Sequence, residues 1–155
     1  MDEARRSVVK GIWVVGALAG AVTAGLLSPA RALAAWNKGA FEAQSAIDAM
    51  RILGMSNAQD SKDIQIRAPD IAENGAVVPI DITSNIPGTT AIAVFIEKNP
   101  FPYAGSFDVS QGAVPYVHLR VKIGESSPVR VVVTAGGKHY TSAKEVKVTI
   151  GGCGG

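Results

Sequence analysis

From Asp63 to Ile150 the apolar residues recur with a period of two, in short runs broken by glycine, proline and asparagine. Successive side chains of a strand point to opposite faces, so such runs bury an apolar face only by pairing into sheets. The runs are Asp63–Arg67, Ala76–Thr83 after the turn at Glu73-Asn74-Gly75, Thr90–Glu97, Gly105–Val109, Val117–Ile123, Val129–Thr134, Lys138–Ser142 and Glu145–Ile150. Val117–Ile123 alternates most cleanly, setting Val117, Leu119, Val121 and Ile123 against His118, Arg120 and Lys122. Gly136-Gly137 reads as a hairpin turn. Some seven short strands with Gly/Pro turns in about 90 residues predict an all-β fold, an immunoglobulin-like antiparallel sandwich over 63–150. A small closed barrel is the alternative that strand count leaves open.

The residues before this region have a different period. Phe41, Ile47, Met50 and Leu53 recur at spacings of three and six with alanines between them, and Gly54 follows as a stop. One short amphipathic helix over 35–54, lying on the edge of the sandwich, is expected. Ahead of it, Arg5-Arg6-Ser7-Val8-Val9-Lys10 precedes an uncharged stretch from Gly11 to Ala30, and Ala32-Leu33-Ala34 supplies an A-x-A cleavage site. Paired arginines before a Gly/Ala-rich apolar core form a twin-arginine export signal, so residues 1–34 read as a cleaved leader carrying Arg5 and Arg6. A retained transmembrane anchor is the competing reading, disfavoured by the small residues and the cleavage site. Export by this route places the mature protein in the periplasm, off the membrane.

The leader also decides the charge argument. The chain holds 15 basic and 13 acidic residues; residues 1–34 take four and two of these, leaving 11 against 11. A neutral mature domain offers no electrostatic attraction for nucleic acid or anionic membrane.

Enzymatic chemistry finds little support. No G-x-S-x-G elbow, phosphate-cradling glycine loop or H-x-x-x-H occurs, and the acids are scattered singly. His118 and His139 read as solvent-facing strand histidines without ligand-spaced neighbours, so no catalytic residue, metal site or cofactor is expected. A copper or zinc site of His118, His139 and Cys153 would require the terminal segment to fold back. That segment, Gly151-Gly152-Cys153-Gly154-Gly155, holds the chain's one cysteine. A single cysteine in an exported protein makes no internal disulfide and reads as a reactive or intermolecular thiol. Flanked by glycines, it forms a narrow, flexible arm whose reactive atom is sulfur. With no cation or helix N-terminus nearby in sequence, the thiol has an ordinary pKa of about 8.5 and is only a few per cent thiolate at neutral pH. Whatever enzyme receives the arm must supply the activation.

The run Val146–Gly155 resembles the end of the SoxY family, sulfur-carrier subunits of the thiosulfate-oxidising system. The likeness continues through Val129–Val133, Ser142–Val146, Glu97-Lys98-Asn99-Pro100, Pro115-Tyr116-Val117 and the twin-arginine leader. Phe101-Pro102-Tyr103 is an apolar insertion in a loop, a contact patch or a local variation. The resemblance implies a non-enzymatic carrier with Cys153 as the attachment point and Gly151, Gly152, Gly154 and Gly155 as its arm. It also implies a SoxZ-like heterodimer partner. A SoxAX-like haem enzyme, a SoxB-like dimanganese hydrolase and a SoxCD-like molybdenum–haem dehydrogenase would act on the bound sulfur. An exported immunoglobulin-like module docking a redox or copper protein, and a domain tethered by an intermolecular disulfide, are the competing readings.

Overall fold

The computed structural model describes residues 37–110 and 112–149; the leader, Ile150, the four arm glycines and Cys153 lie outside the described residues. The described chain forms two short helices, α1 (Lys38–Glu42) and α2 (Ala46–Ile52), and nine strands. In order these are β1 (Gln59–Asp60), β2 (Ile64–Arg67), β3 (Ile71–Ala72), β4 (Val78–Ser84), β5 (Thr89–Ile96), β6 (Tyr103–Asp108), β7 (Tyr116–Val121), β8 (Ser127–Ala135) and β9 (Lys138–Val148). A smaller sheet runs β2-β4-β7 and a larger one β1-β9-β8-β5-β6, with β3 also on β9. The two sheets make the expected immunoglobulin-like sandwich, antiparallel except where β1 and β3 join β9 in parallel.

Period-two burial builds the space between the sheets. Val78, Ile80 and Ile82 of β4 face Ile92, Val94 and Ile96 of β5 and Val129, Val131 and Val133 of β8 in one apolar cluster. Gly136 and Gly137 take φ of 55° and 72° and join β8 to β9. A tight hairpin of this kind requires such a left-handed pair. The run Lys138–Ser142 and the described start of the next, Glu145–Val148, are parts of one strand: β9 pairs with β8 without a break from Ala135↔Lys138 to Ser127↔Val146.

The helical segment departs from the expectation of one helix on the sandwich edge. It is broken between Glu42 and Ala46, because Ser45 caps a new helix. The Ser45 Oγ accepts the Asp48 N–H at 3.0 Å and donates to the Asp48 carboxylate at 2.8 Å. Asn37 caps α1 in the same way, accepting the Ala40 N–H at 3.2 Å. The pair lies over the outer face of the larger sheet, where Ala40, Ala46 and Ala49 pack with Ala93, Phe95, Tyr103 and Val132. Phe41 and Phe95 flank the Tyr103 ring, with centroids 4.6 Å and 5.4 Å from it. With both faces of the larger sheet covered, Val131-Val132-Val133 is buried without alternation. Phe95 is fully buried in this layer. Phe95→Ala is expected to lose about 3–5 kcal/mol of unfolding free energy, measured by chemical denaturation.

Candidate functional site

The chain leaves the described structure at Thr149, so the surroundings of that residue are where Cys153 is tethered. The end of β9 is bonded from two sides, and further connections close around it. On the β3 side, Asp70 accepts the Lys147 N–H at 3.0 Å and Ala72 accepts the Thr149 N–H at 3.1 Å through their carbonyls. Lys144 adds an ion pair to Asp70 at 3.0 Å. From the β7–β8 connection, Ser126 Oγ accepts the Val148 N–H at 2.9 Å. From the β3–β4 connection, the Gly75 carbonyl accepts the Ile123 N–H at 2.7 Å. Gly75 has no room for a side chain: a Cβ there would stand inside contact distance of the Ile123 carbonyl and 2.8 Å from Val148 Cγ1. The β5–β6 connection joins the same end, since Asn99 donates to the Lys122 carbonyl at 2.8 Å and accepts the Gly124 N–H at 3.0 Å. The strand carrying the arm therefore ends in a braced collar of loops.

The two histidines are kept apart. His118 alternates with buried Val117 and lies on the outer face of the smaller sheet. His139 alternates with Tyr140, which packs on the core between the sheets, so it lies on the outer face of the larger sheet beside Thr134. Standing on opposite faces of the sandwich, they cannot share one metal ion. Among the described residues no group of three or more His, Cys, Asp or Glu could hold a metal ion. Also among them, no helix is long and apolar enough to cross a membrane.

His118 belongs to a polar cluster that sequence reading misses. The β4–β7 register sets Asp81 beside His118, with Tyr116 further along the same face. Asp81 Oδ1 accepts the Tyr116 hydroxyl at 2.5 Å and lies 2.9 Å from His118 Nδ1. The Tyr116 and His118 hydrogen bonds hold the Asp81 carboxyl below its ordinary pKa, and the hydrogen bond to Asp81 raises the Tyr116 phenol. A carboxylate so stabilised is a poor general base near neutrality. Asp81 and Tyr116 are 35 residues apart, and only the strand register shows that they meet.

An immunoglobulin-like β-sandwich of this kind is found in a sulfur-carrier protein among solved structures. The sulfur carrier protein SoxY from Chlorobium limicola f thiosulfatophilum is 43% identical over 67% of this chain and 96% of its own, at a TM-score of 0.60. The family model described as "Sulfur oxidation protein SoxY" matches residues 49–153, a span that reaches Cys153. The chain belongs to the SoxY family. A chain from a structure described as the structural basis of T cell specificity and activation by the bacterial superantigen toxic shock syndrome toxin-1 is 14% identical over 56% of this chain and 99% of its own, at a TM-score of 0.41, too low to bear on the fold. Comparison with curated proteins gives no match.

Because the folded-state pKa of Asp81 is lowered, its contribution to stability is present above the unfolded value of about 3.9 and is lost as pH falls through the lowered folded value. Tyr116→Phe removes the larger of the two hydrogen bonds that lower it. The Asp81 carboxyl resonance, followed by NMR through an acid titration, is expected to titrate at higher pH in that variant than in the wild type.

Proposed function

We propose that this protein is a non-enzymatic covalent carrier that holds thiosulfate-derived sulfur on Cys153 and presents it to sulfur-oxidising enzymes of the periplasm. Membership of a sulfur-carrier family, through a match that runs to Cys153, is the observation that carries the reading. The position of Cys153, four residues beyond the last residue of a braced strand end, suits a group delivered into another protein's active site. The glycines Gly151, Gly152, Gly154 and Gly155 keep that segment narrow.

The chemistry is an exchange of sulfur and electrons on one thiol. A SoxAX-like haem enzyme would couple the Cys153 thiol to thiosulfate, forming an S–S bond, releasing one proton to water and passing two electrons, one at a time, through that enzyme to its electron acceptor. The product is cysteine S-thiosulfonate. A SoxB-like dimanganese hydrolase then adds water across the terminal S–S bond. Sulfate leaves with two protons, and a persulfide anion remains on Cys153. A SoxCD-like dehydrogenase oxidises that outer sulfur where such an enzyme is present. The carrier contributes position rather than activation, since a thiol of ordinary pKa is mostly protonated at neutral pH.

Arg5 and Arg6 direct export by the twin-arginine route, and a SoxZ-like subunit without its own signal travels as the folded companion. A neutral mature sandwich is compatible with a protein interface rather than a charged polymer. If residues Arg5 and Arg6 act in this way, R5K/R6K is expected to strand both subunits in the cytoplasm, read by fractionation and immunoblotting. Export of the companion unaffected by that change would overturn the co-export reading.

The carrier reading itself is tested by intact-mass spectrometry of protein from thiosulfate-grown cells. Sulfane or thiosulfonate adducts are expected on the wild type and none on Cys153→Ser, which should fold normally and lose all thiosulfate-dependent turnover. A dimer reducible by thiols with no adduct would instead favour a tethered domain, and an unmodified monomer a binding module.

A further inference from the structure

Which part of the sandwich an enzyme touches while working on Cys153 follows from reach. Cys153 is the fourth residue after Thr149. Fully extended, four residues span at most about 14 Å. Strand β9 has 11 residues. At about 3.3 Å per step it is roughly 33 Å long. A groove of about 490 Å³ between the 85–90 and 109–115 connections lies at the opposite end of that strand. An enzyme engaging Cys153 therefore comes against the arm end of the sandwich and not against this groove.

That end carries an uncommon set of side chains. Ile71, Val77 and Phe101 are 58%, 53% and 58% exposed. Each belongs to a residue type usually found inside. All three are placed at the root of the arm by contacts already described. Ile71 pairs with Lys147 in β3–β9. Val77 stands two residues after Gly75, whose Cα faces Val148. Phe101 lies two residues after Asn99, which is bonded to the Lys122–Gly124 segment that leads to Ser126 and Val148. Phe101 also begins the Phe101-Pro102-Tyr103 insertion, whose other two members are buried. The charges nearby are mixed, with Glu73, Lys122, Glu125 and Lys147 exposed among them, so apolar contact is what distinguishes this surface.

We propose that Ile71, Val77 and Phe101 form an apolar docking collar around the root of the arm, which receives the rim of the active-site entrance of the enzymes that modify Cys153. The proposal rests on the carrier reading and adds where recognition occurs. A thiol on four residues of chain offers an enzyme few atoms to recognise, whereas a collar at a fixed distance holds the sulfur at one depth in the channel. Apolar anchors at the centre of an interface, ringed by polar residues, are the usual source of binding energy in such contacts.

The test uses the full mature chain with its companion subunit and the haem enzyme that couples thiosulfate. I71D, V77D and F101D are each expected to lower kcat/KM for adduct formation about tenfold, through KM. The rate at which Cys153 reacts with a small aromatic disulfide should stay at the wild-type value, as should co-purification with the companion. V114D, a change of the same kind at the opposite end of the sandwich, should leave all three readings unchanged. Thermal midpoints establish that the variants fold; should an aspartate variant fall short, the corresponding alanine variant carries the measurement. Wild-type kinetics in all three collar variants would overturn the proposal. A parallel change in the small-disulfide rate would overturn it too, by showing that the arm itself lies on these residues. Loss of the companion would also overturn it, reassigning them to the subunit interface. A wild-type protein that gains no adduct from the enzyme fails the carrier reading itself, which sets that failure apart from failure of the collar alone.

Discussion

Burial of the larger sheet on both faces is the constraint on which the rest of this structure depends. Its strands β5 and β8 carry the apolar core of the sandwich on one side and the helical layer on the other. A sheet covered only by its partner would leave Ala93, Phe95 and Val132 in water. Fully burying side chains of the Val and Phe kind is worth roughly 1.5–3 kcal/mol each, so the short helices matter despite their length. Neither helix could stand alone, since isolated helices below about 12 residues are marginal in water. Ser45 and Asn37 supply the caps, and the sheet supplies the surface.

The same constraint fixes where the cysteine is tethered. β9 pairs with β8, which is held at the centre of the buried sheet, from Lys138 to Val146. On its outer edge β9 is closed by two parallel two-residue strands, β1 near its start and β3 near its end. Short strands that cover an edge limit pairing with other chains. Here β3 also anchors the last residues before the arm, and the connections around Gly75, Asn99 and Ser126 complete the brace. The described chain thus ends at a strand terminus held by its neighbours.

The sandwich separates its polar features from that point. The Asp81–Tyr116–His118 cluster occupies the outer face of the smaller sheet. The Arg130–Glu97 ion pair, 2.5 Å long and half-buried, belongs to the larger sheet. Neither lies among the contacts that hold the end of β9. Around the end of β9, Ile71 of β3, Val77 of the β3–β4 connection and Phe101 of the β5–β6 connection leave apolar surface exposed.

Several elements were legible because their signals are local. Alternation between apolar and polar residues identified β2, β4 and β7 to within a few residues, because a strand with one buried face must show it, whereas β5 and β8, covered on both faces, were legible as short apolar runs. The hairpin at Gly136-Gly137 was legible because the turn requires left-handed backbone, and the family was legible from the terminal run around Cys153. Other features had no local signal. Gln59-Asp60 and Ile71-Ala72 are too short to show a period, and they are strands only because β9 offers an edge. The break between α1 and α2 had a weak signal, Ser45 three residues before Asp48, which the regular alanine spacing hid. The meeting of Asp81 with Tyr116, and the gathering of Ile71, Val77 and Phe101 at one end, depend on strand register and on which loops share an end. The sequence by itself therefore determined the layered β architecture and the family, since each is written in neighbouring residues. Tertiary structure alone decided what surrounds the root of the arm, because residues distant in the chain become neighbours only when the sheets pair.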